Sequence, residues 1–280
     1  MWLQLFNFSS LRRTVIGGLI AFATLIAAAG CGSKPAVTAG NTGTDNTAND
    51  RGREIVGEYL KRDGAPFRKT RFRFTINEEG EAAKIYEVDT WRKQSVEGTT
   101  TLLMFVSPPE DAGTGTLTVE APGKKSVVVT YSQARDEFRE SDTKKAFFGG
   151  LTAGELLGEW DKFDFRFVGE KTVDGVKALE VDGKLKPGAD SAVARIGVVF
   201  RSDNYVPLET HIFASDGTEV RTYRTTAIKD DPAHPYAQRI EVENKVYKSR
   251  TTIEVVNRDF PATIEDSMFS REKLKASVRK

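Results

Sequence analysis

Arg71-Phe72-Arg73-Phe74-Thr75-Ile76 alternates polar and apolar residues, and the device returns at Lys162-Phe163-Asp164-Phe165-Arg166-Phe167. Successive side chains of a β-strand point to opposite faces, so this rhythm puts Phe72, Phe74 and Ile76 on one side of a sheet and the arginines on the other. Phe163, Phe165 and Phe167 align in the same way. Further strand-like runs are 101–106, 115–120, 126–131, 178–185, 195–200, 208–213, 219–228, 239–246 and 251–255. Glu79-Gly80, Pro122-Gly123, Asp174-Gly175 and Asp216-Gly217 fall between runs, where tight reversals belong. Gaps as short as 119–125 and 213–219 favour hairpins, because a parallel crossover needs a dozen or more residues. Helical candidates are few: 52–62, a short piece at 144–148, and 152–158, where Thr152 and Glu155 have capping-box spacing. The expectation is a mainly β domain, a strongly curved antiparallel sheet forming a half-open β-barrel whose open side is closed by a few helices.

The N-terminus has a different character. Arg12 and Arg13 precede a stretch of apolar or small residues, 14–30, that ends immediately before Cys31, the single cysteine of the chain. This is the anatomy of a bacterial lipoprotein signal, with residues 1–30 as leader and Cys31 as the acylated first residue. The apolar run is shorter than the roughly 20 residues of a spanning helix, although apolar residues nearer the start leave an uncleaved anchor as the alternative. Residues 32–50 are rich in Gly, Asn, Thr and Asp and poor in hydrophobic bulk, so 31–50 reads as a lipidated cysteine with a flexible tether. Residues 51–280 are then one domain, which must be held by its core because a lone cysteine makes no internal disulfide.

Charge narrows the partners. The chain has 41 basic and 40 acidic side chains; losing Arg12 and Arg13 with the leader takes the formal charge from +1 to −1. Basic and acidic residues are interspersed, which argues against nucleic acid and against a mainly electrostatic hold on anionic membranes. Catalytic signatures are sparse as well. His211 and His234 have no HExxH or paired spacing, no G-x-S-x-G elbow occurs, and Gly149-Gly150 lacks the lysine of a phosphate loop. The expectation is a non-enzyme with no metal and no cofactor. Seventeen Phe, seven Tyr and three Trp could fill a core, or could line a hollow that takes an acyl chain.

Several segments between Leu102 and Leu274 resemble the outer-membrane lipoprotein-sorting protein family, the LolA/LolB-like bacterial lipoproteins. They are Phe105-Val106-Ser107-Pro108, Gly113-Thr114-Gly115-Thr116-Leu117, Tyr205-Val206-Pro207-Leu208-Glu209 followed by Asp216-Gly217, and Asp266-Ser267-Met268-Phe269-Ser270. The chain departs from the family at 127–132, which keeps the strand and Tyr131 without the usual proline. It departs again at 147–156, where the family's central aspartate is missing, so that residue's role does not carry over.

The resemblance implies a half-barrel with a helical lid that shields lipid or lipoprotein acyl chains. Cavity candidates are Phe72, Phe74, Met104, Leu117, Val119, Val127, Val129, Tyr131, Phe163, Phe165 and Phe167; lid candidates are Phe147, Phe148, Gly149, Gly150, Leu151, Leu156 and Leu157. It further implies a lipid-anchored envelope protein facing the periplasm, with Gly32 after the cysteine favouring the outer membrane. Its implied cargo is an acyl lipid or lipoprotein, and an envelope transporter complex is a further candidate partner. The alternative is an envelope lipoprotein that senses a ligand or scaffolds a membrane complex without transfer activity.

Overall fold

The computed structural model describes residues 42–146 and 148–278. Cys31, the leader and residues 32–41 lie outside the described residues, as does Phe147. Among the described residues, thirteen antiparallel strands form one sheet in the order β6-β5-β4-β3-β2-β1-β13-β12-β11-β10-β9-β8-β7. The first six are β1 (Phe67–Glu78), β2 (Lys84–Ser95), β3 (Gly98–Ser107), β4 (Gly115–Glu120), β5 (Val127–Ser132) and β6 (Glu137–Ser141). The other seven are β7 (Phe163–Val173), β8 (Val176–Leu185), β9 (Arg195–Arg201), β10 (Pro207–Phe213), β11 (Glu219–Lys229), β12 (Tyr236–Asn244) and β13 (Ser249–Asp259). Both halves are meanders, and they meet where β1 pairs with β13. The helices are α1 (Thr42–Asp63), α2 (Ala153–Leu157) and α3 (Arg271–Ser277). Helix α1 begins at Thr42, ahead of the expected start at residue 52, and takes in residues that composition assigned to the tether.

The strongly curved half-open barrel is corrected by this topology. Among the described residues the sheet is open, with β6 and β7 as unpaired edges at opposite ends of the strand order. The physical reason lies in where the apolar residues sit. A barrel gathers them in one interior, whereas this sheet has several separate clusters and buries apolar side chains on both faces, each under its own covering element.

On one face, called inner here, α1 lays Ile55 and Val56 against Phe163, Phe165, Val181, Val198 and Phe200. The approach is close enough that a Cβ at Gly52 would stand 2.7 Å from the Phe165 carbonyl oxygen. Beside it, Leu151 from the β6–β7 connection is fully buried with Phe74, Val88, Val242 and Ile253.

The other face is not uniformly wet. Cross-strand ion pairs cover its middle, where Arg71 binds Asp89 through two 2.8 Å hydrogen bonds and Arg73 binds Glu87 at 2.7 Å. Over β3, β4 and β5 it turns apolar: Leu102, Met104, Leu117 and Val129 are buried there beneath Leu274 of α3.

Candidate functional site

A cavity of about 360 Å³ lies against the inner face, between the sheet and a roof made by the end of α1 and residues 154–160. Its floor is largely apolar, with Phe72 and Phe74 from β1, Val88 from β2, Leu103 from β3, Ile212 from β10 and Ile253 from β13. Leu60 of α1, Leu156 of α2 and Trp160 come from above. Tyr59, Trp160 and Phe200 stack with ring centroids 5.2 to 6.1 Å apart, which stiffens this side of the roof.

One end of the cavity is charged. Asp63, the last residue of α1, receives hydrogen bonds from Arg68 (2.5 Å) and Arg92 (3.1 Å), with Arg258 at 3.9 Å. The helix end is fixed by a 2.8 Å contact between His234 Nδ1 and the Arg62 carbonyl. Burial pushes the Asp63 carboxyl up, but the three guanidiniums outweigh it and hold the group below the usual range. Burial and repulsion from Arg68 bring Arg258 down to about 10.

A second buried charge pair fastens the roof. Thr152 caps α2 and Glu155 completes the capping box, as the spacing of these residues predicts. Glu155 Oε1 then accepts from Arg221 Nε at 2.6 Å and from Tyr223 Oη at 3.2 Å. Arg221 Nη1 also donates to the Gly150 carbonyl at 2.9 Å, while Asn244 and Ser249 donate to that of Gly149 at 3.0 and 3.1 Å. Both glycines have positive φ, and a Cβ at Gly150 would collide with the Tyr247 ring at 2.3 Å.

The residues expected at the cavity separate into three groups. Phe72, Phe74 and Phe163 line it. Phe165 is buried under α1, with Phe167 half-buried beside it. Met104, Leu117 and Val129 are buried on the opposite face, Val127 and Tyr131 pack against that cluster, and Val119 is exposed. Among the lid candidates, Leu156 lines the cavity, Leu151 is buried in the core and Gly149 and Gly150 are pinned as described; Phe148 and Leu157 belong to the same connection.

The sequence reading missed Asp63, Arg68, Arg92 and Arg258. Their signal was available in principle, since Arg68 and Arg92 share a strand parity with the apolar Phe72 and Val88 rather than with the outward Arg71 and Arg73. The two histidines serve structure, His234 as described and His211 through a 2.5 Å hydrogen bond to Glu219. Among the described residues no group of three or more His, Cys, Asp or Glu is placed to hold a metal ion.

A broad antiparallel sheet roofed by a helix and a short helical crossing defines a known class of fold. A DUF1329 family protein from Desulfovibrio piger is similar to this chain with a TM-score of 0.75 and 18% identity, over 81% of this chain and 99% of that one. A putative outer membrane lipoprotein-sorting protein domain from Vibrio parahaemolyticus gives 0.74 and 17%, over 81% and 99%. A LolA superfamily protein from Nitrosomonas europaea gives 0.65 and 10%, over 79% and 98%. At these identities the likeness is one of fold. Residues 97–276, more than half of the chain, match the model of a family described as "Uncharacterized protein", and the chain belongs to that family. No curated protein matches the sequence.

Proposed function

We propose that this protein is a membrane-tethered, non-catalytic lipid-binding protein of the cell envelope that takes acyl chains of lipid or lipoprotein cargo into its cavity. The observation that carries this reading is the apolar hollow of about 360 Å³ on the inner face, within the usual range for small-molecule sites. An acyl chain in water loses about 0.8 kcal/mol for every exposed methylene, so sheltering ten of them offsets roughly 8 kcal/mol. Aromatic and aliphatic walls supply that shelter without specific chemistry. Acylation at Cys31 would tether the domain at the membrane from which such chains are drawn or to which they are delivered. The fold shared with lipoprotein-sorting and LolA superfamily proteins supports a place at the outer membrane; a periplasm-facing orientation and an envelope transporter as neighbour are further parts of this proposal.

Native mass spectrometry with lipid extraction on residues 41–280, produced without Cys31, tests the reading. A stoichiometric acyl compound is expected to copurify. Protein that emerges repeatedly empty and takes up no fluorescent fatty-acyl probe would sink it.

A further inference from the structure

The charged end of the cavity is a built site. Arg68 of β1 and Arg92 of β2 are direct cross-strand partners, and Thr101 of β3 stands opposite Arg92 on the other side. Arg258 of β13 pairs with Thr70, two positions from Arg68 on the same face of β1. Three guanidiniums thus share one patch of the inner face, although like charges placed opposite each other across a ladder repel. Asp63 neutralises one of them. The nearby Glu120 carboxylate, raised to about 7 by burial, is only partly ionised at neutral pH. At this end of the largely apolar cavity, positive charge therefore remains in excess.

Hydrogen bonding at the patch is incomplete in the same sense. The Arg258 side chain is 8% exposed, and its Nε is buried without a hydrogen-bond partner. The hydroxyls of Thr101 and Thr70 are also buried and unpartnered. Arg258 and Thr101 both line the cavity, and Arg258 also borders a surface hollow with Lys229, Tyr236 and Phe260. Native proteins leave few such groups orphaned, so two unpartnered side chains on the cavity wall, Arg258 and Thr101, call for a ligand that accepts hydrogen bonds. Guanidiniums in particular match the paired oxygens of a carboxylate or phosphate.

The geometry points to an anionic head-group site at Arg68, Arg92 and Arg258, which selects amphiphiles whose single negative oxyanion head adjoins an acyl chain lying along Phe72, Phe74 and Trp160. This rests on the lipid-binding reading and deepens it by naming the class of ligand. The apolar floor holds the chain whatever its head; the arginines discriminate the head.

The test compares two probes that differ only at that head, 9,10-dibromostearate and its methyl ester. Bromine quenches nearby tryptophan, and Trp160 lines the cavity. The full chain in a neutral amphipol is titrated with each, and a Trp160→Phe chain subtracts the response of Trp2 and Trp91. The acid is expected to bind at least tenfold more tightly than the ester. Arg258→Gln and Arg92→Gln should each reduce that ratio severalfold, and the wild-type ratio stands even if a variant fails to fold. Equal affinity for acid and ester overturns the head-group site while leaving the acyl cavity intact. Binding of neither probe overturns the lipid reading itself. Inorganic phosphate that displaces the acid at the acid's own concentration would show a free-anion site instead.

Discussion

Glu120 shows how one side chain reports on the site. It lies on the inner face of β4, where burial pushes its carboxyl up from the ordinary range to about 7 against the opposing pull of Arg92. A carboxyl whose folded value is raised binds its proton more tightly in the folded state, so its ionisation opposes folding. That penalty is absent well below the ordinary glutamate range, grows as pH rises toward 7 and then levels off. Between about pH 5 and pH 8 this residue should lower stability by about 2–3 kcal/mol, because each tenfold change in an ionisation constant is worth about 1.36 kcal/mol. Urea unfolding of Glu120→Gln at the two pH values is expected to show that part of the pH dependence gone; an unchanged slope would place Glu120 in water.

Elements are held by paired charges rather than by hydrophobic contact alone. The connection from β6 to β7 crosses the inner face, and the Arg221–Glu155 pair fastens it there together with Asn244 and Ser249. Removing one partner of a buried pair leaves the other charge without compensation, which typically costs about 3–5 kcal/mol. Arg221→Ala is therefore expected to destabilise the domain by that amount and to lose hydrogen-exchange protection first over residues 149–157. Global destabilisation with protection there preserved would show that the pair does not clamp this segment. Strand β2 makes the complementary point about legibility. Its inner positions run Tyr86, Val88, Thr90, Arg92 and its outer ones Glu87, Asp89, Trp91, so neither face is consistently apolar and alternation carried no signal. The polar inner residues are those at the charged end of the cavity. Sequence patterns often break where a site is built.

The whole molecule uses two faces for two purposes. The inner face carries the cavity, and the opposite face over β3–β5 carries a closed cluster under α3, with Leu102 and Leu274 fully buried. Leu274→Ala should cost about 2–5 kcal/mol, as buried leucine truncations do. Because Leu274 sits across the sheet from the cavity, dibromostearate affinity measured where the variant remains folded should not change. A parallel loss of affinity would mean that the two faces are coupled.

Period two and the turn dipeptides determined, from local chemistry alone, an antiparallel meander and most of its strands; the capping box at Thr152 and Glu155 likewise declared itself. Alternation says which residues of one strand share a face, but it carries no phase between strands. Only the register decided that Leu103 and Thr101 look into the cavity with Phe72 and Val88, while Met104, Leu117 and Val129 look away. The same limit applies to closure, because whether β6 meets β7 depends on what covers each face. The arginine cluster exists only in three dimensions: Asp63, Arg68, Arg92 and Arg258 come from a helix end and three strands, two of which are neighbours through the pairing of β1 with β13. Short-range spacing fixes what a strand is; long-range pairing fixes what it faces.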